Sequence, residues 1–192
     1  MVRIDIVLFD GVDELDVVGP FEVLRNARRL GARIDVQLVA LRNLEVTANH
    51  GLVFRAEKTL DGTAQVLLIP GGGWVDHSQR GIRQEIERGE LPRKIAEAYK
   101  GGAIIASVCT GALAVAASGI AAGRKMVTHH SAIEDLRAQG VEIVNQRYVD
   151  DGDIVSSGGV TSGIDLALYL VTRFADAGLS RAISQQIEYP VH

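Results

Sequence analysis

Cysteine is nearly missing from this sequence: among 192 residues Cys109 is the only one, so an intrachain disulfide is impossible. The N-terminus, Met1-Val-Arg-Ile-Asp-Ile-Val-Leu-Phe9, is too short and too charged for a signal peptide and reads as a strand. Together these predict a reducing, cytoplasmic setting. No apolar run approaches the ~20 residues of a membrane span. The net charge of −4, with both signs scattered, offers no basic stripe to nucleic acid. CxxC, HExxH and Walker loops are absent. The five histidines (His50, His77, His129, His130 and His192) show no ligand spacing beyond one adjacent pair, so no metal is predicted. There is no linker and no repeat, and 47% of the residues are apolar. The expectation is one domain over residues 1–192, long enough to bury ~70% of its unfolded surface.

What is present is alternation of strand and helix. Ile4–Phe9 reads as a first strand, and Phe21–Leu30 as a helix opened by Pro20 and closed by Gly31. Val36–Leu41 is a second strand, and Val46–Phe54 a small hairpin broken by Asn49-His-Gly51. Val66–Ile69 is short and wholly apolar, as the buried centre of a parallel sheet requires. It runs into Pro70-Gly71-Gly72-Gly73, where backbone can approach a ligand closely. Pro92–Lys100 is a helix and Ala103–Val108 the strand leading to Cys109. Ser131-Ala-Ile-Glu134 is a capping box opening a helix to Gln139, and Tyr148–Val155 a hairpin around Asp151-Gly152. Ser162–Ala175 and Leu179–Glu188 are the last helices. This order predicts a mostly parallel sheet with helices on both faces and a ligand site beyond the strands' carboxyl ends.

Cys109 stands at such an end. Ser107-Val-Cys-Thr-Gly111 has the small-x-nucleophile-x-small shape of a nucleophile elbow, in which small neighbours permit a sharp strand-to-helix turn. A helix N-terminus there favours thiolate over thiol; the alternative is a small buried core thiol. Asp16, flanked by Leu15, Val17 and Val18, is either a cap for the helix opening near Pro20 or an acid with a chemical role. Asp13 and Glu14 beside it read as solvated. Burial beside a thiol would raise the Asp16 pKa. Backbone N–H groups of Gly72 and Thr110 could form an oxyanion hole, with Gly71 in the same turn. Thr110 is then a hydroxyl donor to substrate or simply the first helical residue. His129-His130, some twenty residues past the cysteine, could supply an activating imidazole or be a loop pair satisfied by backbone. Trp74 is a pocket wall or packs on the next helix, and Asp165 could just serve its helix dipole.

These residues carry a resemblance to a known family. Leu15-Asp-Val-Val-Gly-Pro20, Ile69-Pro-Gly-Gly72, Ser107-Val-Cys-Thr-Gly111, Gly123-Arg-Lys-Met-Val-Thr-His129, Gly158-Gly-Val-Thr-Ser-Gly-Ile-Asp165 and Gln186-Ile-Glu-Tyr189 occur in order along nearly the whole chain. The pattern resembles the ThiJ/PfpI superfamily, and within it the isonitrile (isocyanide) hydratases and the related sensor halves of AraC-type regulators. The resemblance implies a flavodoxin-like, doubly wound α/β fold of the class I glutamine amidotransferase type. It implies Cys109 as nucleophile, Asp16 as the carboxylate beside it and Thr110 as a polar contact to a small-molecule substrate. It also implies a homodimer with its interface near the site. Thr110 stands where peptidase-type members have a histidine, and His130 where the hydratase pattern has a tryptophan.

The activity so implied is hydration of an isonitrile to the N-substituted formamide through a covalent thioimidate, with no cofactor. Two alternatives use the same cysteine: a cofactor-free glyoxalase or deglycase acting on 2-oxoaldehydes, and a non-catalytic redox or stress sensor. A transcription regulator is disfavoured by the charge and by the absence of a further module before His192.

Overall fold

Strands that carry no polar alternation build the centre of the sheet. In the computed structural model, which describes residues 1–74 and 79–190, every residue of β6 (Val66–Ile69) and β11 (Ile154–Ser157) is buried. β7 (Ile104–Ser107) is buried but for the partly exposed Ile104. With β1 (Val2–Leu8), β2 (Ile34–Ala40), β5 (Lys58–Thr59) and β10 (Tyr148–Asp150) they form one sheet, in the order β10-β11-β7-β6-β1-β2-β5. All its pairings are parallel except β10 with β11. That is the doubly wound α/β architecture the alternation predicts. β3 (Glu45–Thr47) and β4 (Val53–Arg55) make the expected small hairpin. β8 (Lys125–Met126) and β9 (Glu142–Ile143) form a separate parallel pair.

The helices fall into two packed groups. α1 (Glu14–Arg29), α6 (Ser162–Phe174) and α7 (Ala177–Gln186) contact one another; α2 (Ile82–Arg88), α3 (Glu90–Lys100), α4 (Gly111–Ala117) and α5 (Ile133–Ala138) form the other group. No helix among the described residues is long and apolar enough to cross a membrane.

Beyond end shifts of one or two residues, three features differ from expectation. α1 starts at Glu14, not Phe21, because Asp13 caps it by accepting the Leu15 N–H at 3.1 Å. Pro20 is therefore interior, and lacking an N–H it cannot donate to the Asp16 carbonyl. Burial of Val17, Val23, Leu24 and Ala27 along one face keeps the turn helical despite that loss. Second, Ser131 is not a helix cap. His129 takes that position, accepting the Ser131 N–H ahead of a short 3₁₀ turn (His130–Ala132) that leads into α5. Third, α2 was not anticipated; Gly81, at φ 106°, precedes it.

Candidate active site

Four carboxyl ends of parallel strands supply the site: β1 through Gly11–Asp16, β6 through Pro70–Trp74, β7 through Cys109 and β11 through Gly158–Val160. Cys109 adopts φ 57°, the left-handed region that costs a non-glycine residue about 1 kcal/mol. The backbone around it holds the strain. The Cys109 N–H donates to the Gly158 carbonyl at 3.0 Å, and its own carbonyl accepts from the Thr128 hydroxyl at 2.8 Å. The elbow and the turn after β6 close tightly on each other. A Cβ at Gly71 would overlap Thr110, and one at Gly111 would overlap the Ile69 carbonyl. Both positions need glycine for space, independent of backbone angle.

Asp16 lies in the first turn of α1 and is fully buried (0% exposed). The cap role is taken by Asp13, which leaves Asp16 for other work. Its Oδ2 accepts the Gly71 N–H at 2.8 Å, while Oδ1 is buried without a hydrogen-bond partner among the described residues. Burial, and then the charge of Asp13, push its pKa up to about 8; the Gly71 N–H and a hydrogen bond with the Cys109 thiol pull the other way. Asp13 and Glu14 are thus not merely solvated. Asp13 lines the site, and Glu14 Oε1 accepts the His50 N–H at 2.7 Å, tying the hairpin tip to α1. Asp13, Glu14 and His50 form the one cluster of potential metal ligands among the described residues. His77 and His192 lie outside those residues.

The expectation of a thiolate favoured by the helix end is corrected by the structure. Burial, and next the Asp16 charge, push the Cys109 thiol up to about 12, against the pull of hydrogen bonds from the Val160 and Thr110 backbones. α4 is only seven residues long, too little to outweigh removal from water beside a carboxylate. Asp16 and Cys109 therefore titrate as a pair that resists carrying two negative charges.

One of the two expected backbone donors, Gly72, is already occupied. Its N–H donates to Thr110 Oγ1 at 3.1 Å, and the backbone N–H groups that pull the thiol pKa down are those of Thr110 and Val160. Val160, at φ 43°, was missed in the sequence because a backbone donor leaves no mark in side-chain chemistry. Only the Gly158–Asp165 segment points toward it. A cavity of about 260 Å³ opens over the thiol, walled by Asp13, Asn49, Trp74, Thr110, His129 and Val160 among others. Trp74 is a wall, held by its Nε1–H to Asp135 at 2.7 Å and by Arg83 stacked 3.8 Å over its ring.

His129 faces this cavity and His130 does not. Burial and the neighbouring His130 lower the His129 pKa, and its Nδ1 accepts from the Ser131 backbone, leaving Nε2 to carry the proton. Among the described residues no hydrogen bond joins either histidine to Cys109. The His129 ring rests on Gly159, where a Cβ would overlap it. Asp165 is more than a dipole complement: its Oδ2 accepts from Arg147 at 2.7 Å and from the Tyr189 hydroxyl at 2.9 Å.

The model of the DJ-1/PfpI family matches residues 2–173 of this chain. Isonitrile hydratase of Pseudomonas putida is 29% identical over 189 residues, covering 97% of this chain and 78% of that protein. A deglycase of Pyrococcus horikoshii is 24% identical over 149 residues, covering 76% of this chain and 82% of that one. Among solved structures, a ThiJ/PfpI family protein from Pseudomonas syringae superposes with a TM-score of 0.87 at 25% identity, covering 99% of this chain and 76% of that chain.

Proposed function

The chain belongs to the DJ-1/PfpI family, which includes proteins named as isonitrile hydratase and deglycase, and on that premise we propose that it is a cysteine-dependent hydratase converting isonitriles, R–N≡C, to N-substituted formamides. The observation that carries this reading is the buried Asp16 carboxyl set beside the Cys109 thiol, each shifting the other's titration, with no cation and no imidazole engaging either group among the described residues. A pair that exchanges one proton and avoids a second charge suits a substrate that must receive both sulfur and hydrogen at one carbon.

Sulfur attacks the terminal carbon while Asp16 takes the thiol proton and delivers it to that same carbon, giving the thioimidate R–N=CH–S–Cys109. Water then adds across C=N: its hydroxyl goes to carbon and its proton to nitrogen. Collapse of R–NH–CH(OH)–S–Cys109 breaks the C–S bond, releases R–NH–CHO, and returns the hydroxyl proton to the Asp16–Cys109 pair. The N–H groups of Thr110 and Val160 stabilise charge developing at the reacting centre, a contribution typically of ~3 kcal/mol per donor. The scheme draws on no cofactor.

The assembly proposed with this function is a homodimer. Leu15 and Val18 on α1 and Leu52 and Val53 on the hairpin are exposed apolar side chains. The Leu52 N–H donates to Glu14, which brings two of them alongside each other. Sedimentation velocity showing only a 20.6 kDa species would overturn it.

The test of function is N-cyclohexylformamide formation from cyclohexyl isonitrile by reduced protein. Turnover by wild type and none by Cys109→Ala is expected. A folded, reduced wild type without turnover overturns the hydratase, and activity retained by Cys109→Ala overturns the covalent scheme. The deglycase relative favours a second reading on 2-oxoaldehydes, checked by lactate formation from methylglyoxal.

A further inference from the structure

Beside the thiol cavity lies a larger one of about 670 Å³, and the two share His129 and Val160 as a common wall. Their electrostatics are opposite. The thiol cavity is lined by Asp13, with Asp16 buried beneath it. The larger cavity is lined by Arg137, Arg147 and His130 and by the amides of Asn145 and Gln146, and none of the described residues lining it is Asp or Glu. Its remaining walls include Ile133, Ile143 and Val144, which suit an apolar body. Each guanidinium is positioned by a carboxylate outside the lining: Arg147 by Asp165 at 2.7 Å, Arg137 by Glu134 three residues before it. Arg147 is held through its Nε and Nη2 by Asp165, Thr161 and Tyr189, Arg137 is the more exposed of the two, and the hydroxyls of Thr128 and Ser162 complete a lining that carries no carboxylate among the described residues.

Two adjoining cavities of opposite polarity orient a bipolar ligand. An anion is repelled from the thiol side and attracted to the arginine side, and a small neutral head group fits the thiol side alone. We infer that the larger cavity is a substrate subsite for a carboxylate, so that the preferred substrate is an apolar molecule with a neutral reactive group at one end and a carboxylate at the other. The reactive group being an isonitrile rests on the hydratase reading; the carboxylate subsite does not.

Two measurements separate these. Benzoate titrated into the full chain carrying Cys109→Ala, followed by histidine ring NMR signals, is expected to shift His129 and His130 saturably and leave His50 unmoved. The exposed-residue variant Arg137→Gln is expected to weaken that binding several-fold. Absence of a saturable shift at His129 and His130 overturns the subsite. In wild type, kcat/KM for 4-isocyanobenzoate is expected to exceed that for its neutral methyl ester by about tenfold, the size of one charge-assisted hydrogen bond. Arg137→Gln should narrow that gap. Equal turnover of both overturns the subsite while the hydratase stands. Turnover of neither, with benzoate still moving both histidines, sustains the subsite and removes the hydratase reading.

Discussion

Asp5 and Asp16 are both completely shielded from water, eleven residues apart in sequence, and the molecule treats them in opposite ways. Asp5, within β1, is gripped at two points by Arg3, from Nε at 3.1 Å and from Nη2 at 3.2 Å. Arg3 is itself anchored on Asp61 at 2.7 Å, which also holds Lys58. Burial raises the Asp5 pKa, and the guanidinium offsets part of that rise. Asp16, past the carboxyl end of the same strand, receives one backbone N–H and lies beside a thiol, and the charge that acts on it is another carboxylate, Asp13. A buried acid that serves only architecture is given a cation. One left without a cation is held at a standing cost in stability, and that cost marks the reacting end of the sheet.

The contrast can be tested at both ends. Cys109→Ala should have the largest effect, lowering isonitrile turnover at least a thousandfold, with the thermal midpoint little changed. Asp16→Asn should reduce kcat/KM by about a hundredfold or more yet stabilise the protein at high pH. The folded-state pKa of Asp16 lies above its unfolded value, so the wild type binds the extra proton when folded. Its stability should fall as pH rises from about 4 toward 8, and the asparagine variant should lack that fall. Thermal midpoints of both proteins across this range check it; parallel curves would make Asp16 an ordinary structural acid. The wild-type kcat/KM should rise through about 8, as the pair loses its first proton.

At the architectural end, Arg3→Met should cost about 3 kcal/mol in chemical denaturation, since it strands Asp5 without its cation, with kcat/KM unchanged. A loss of activity as large as that of Asp16→Asn would dissolve the distinction between the two aspartates. Thr110→Val should give the smallest effect, about 1 kcal/mol, by removing the acceptor of the Gly72 N–H.

Much of this contrast is legible in the amino-acid sequence. The unbroken apolar run of Val66–Ile69 and the small residues around Cys109 identify a buried strand and an elbow through local chemistry alone, and both are where that chemistry puts them. Asp16 was singled out by its apolar flanks. Its setting was not legible, because Pro20 gives a strong helix-start signal and the Asp13 cap that overrides it is a matter of backbone geometry. The thiol's reluctance to ionise is not legible for a similar reason: a helix end is visible in sequence, whereas burial against a particular carboxylate is a tertiary fact. Asn49 and Val160 reach the site from a hairpin and from the end of β11, distant in sequence, and backbone donors carry no residue signature.

The interlocked glycines of the elbow limit how this protein can change. With Gly71 and Gly111 leaving no room for even a methyl group, the inner half of the cavity cannot be remodelled by substitution without opening the turn that positions sulfur. Variation in what the protein accepts is thereby channelled to the outer walls, at Asn49, Trp74 and His129. An engineer seeking a new substrate, or a lineage drifting toward one, has a fixed chemical step and an adjustable entrance.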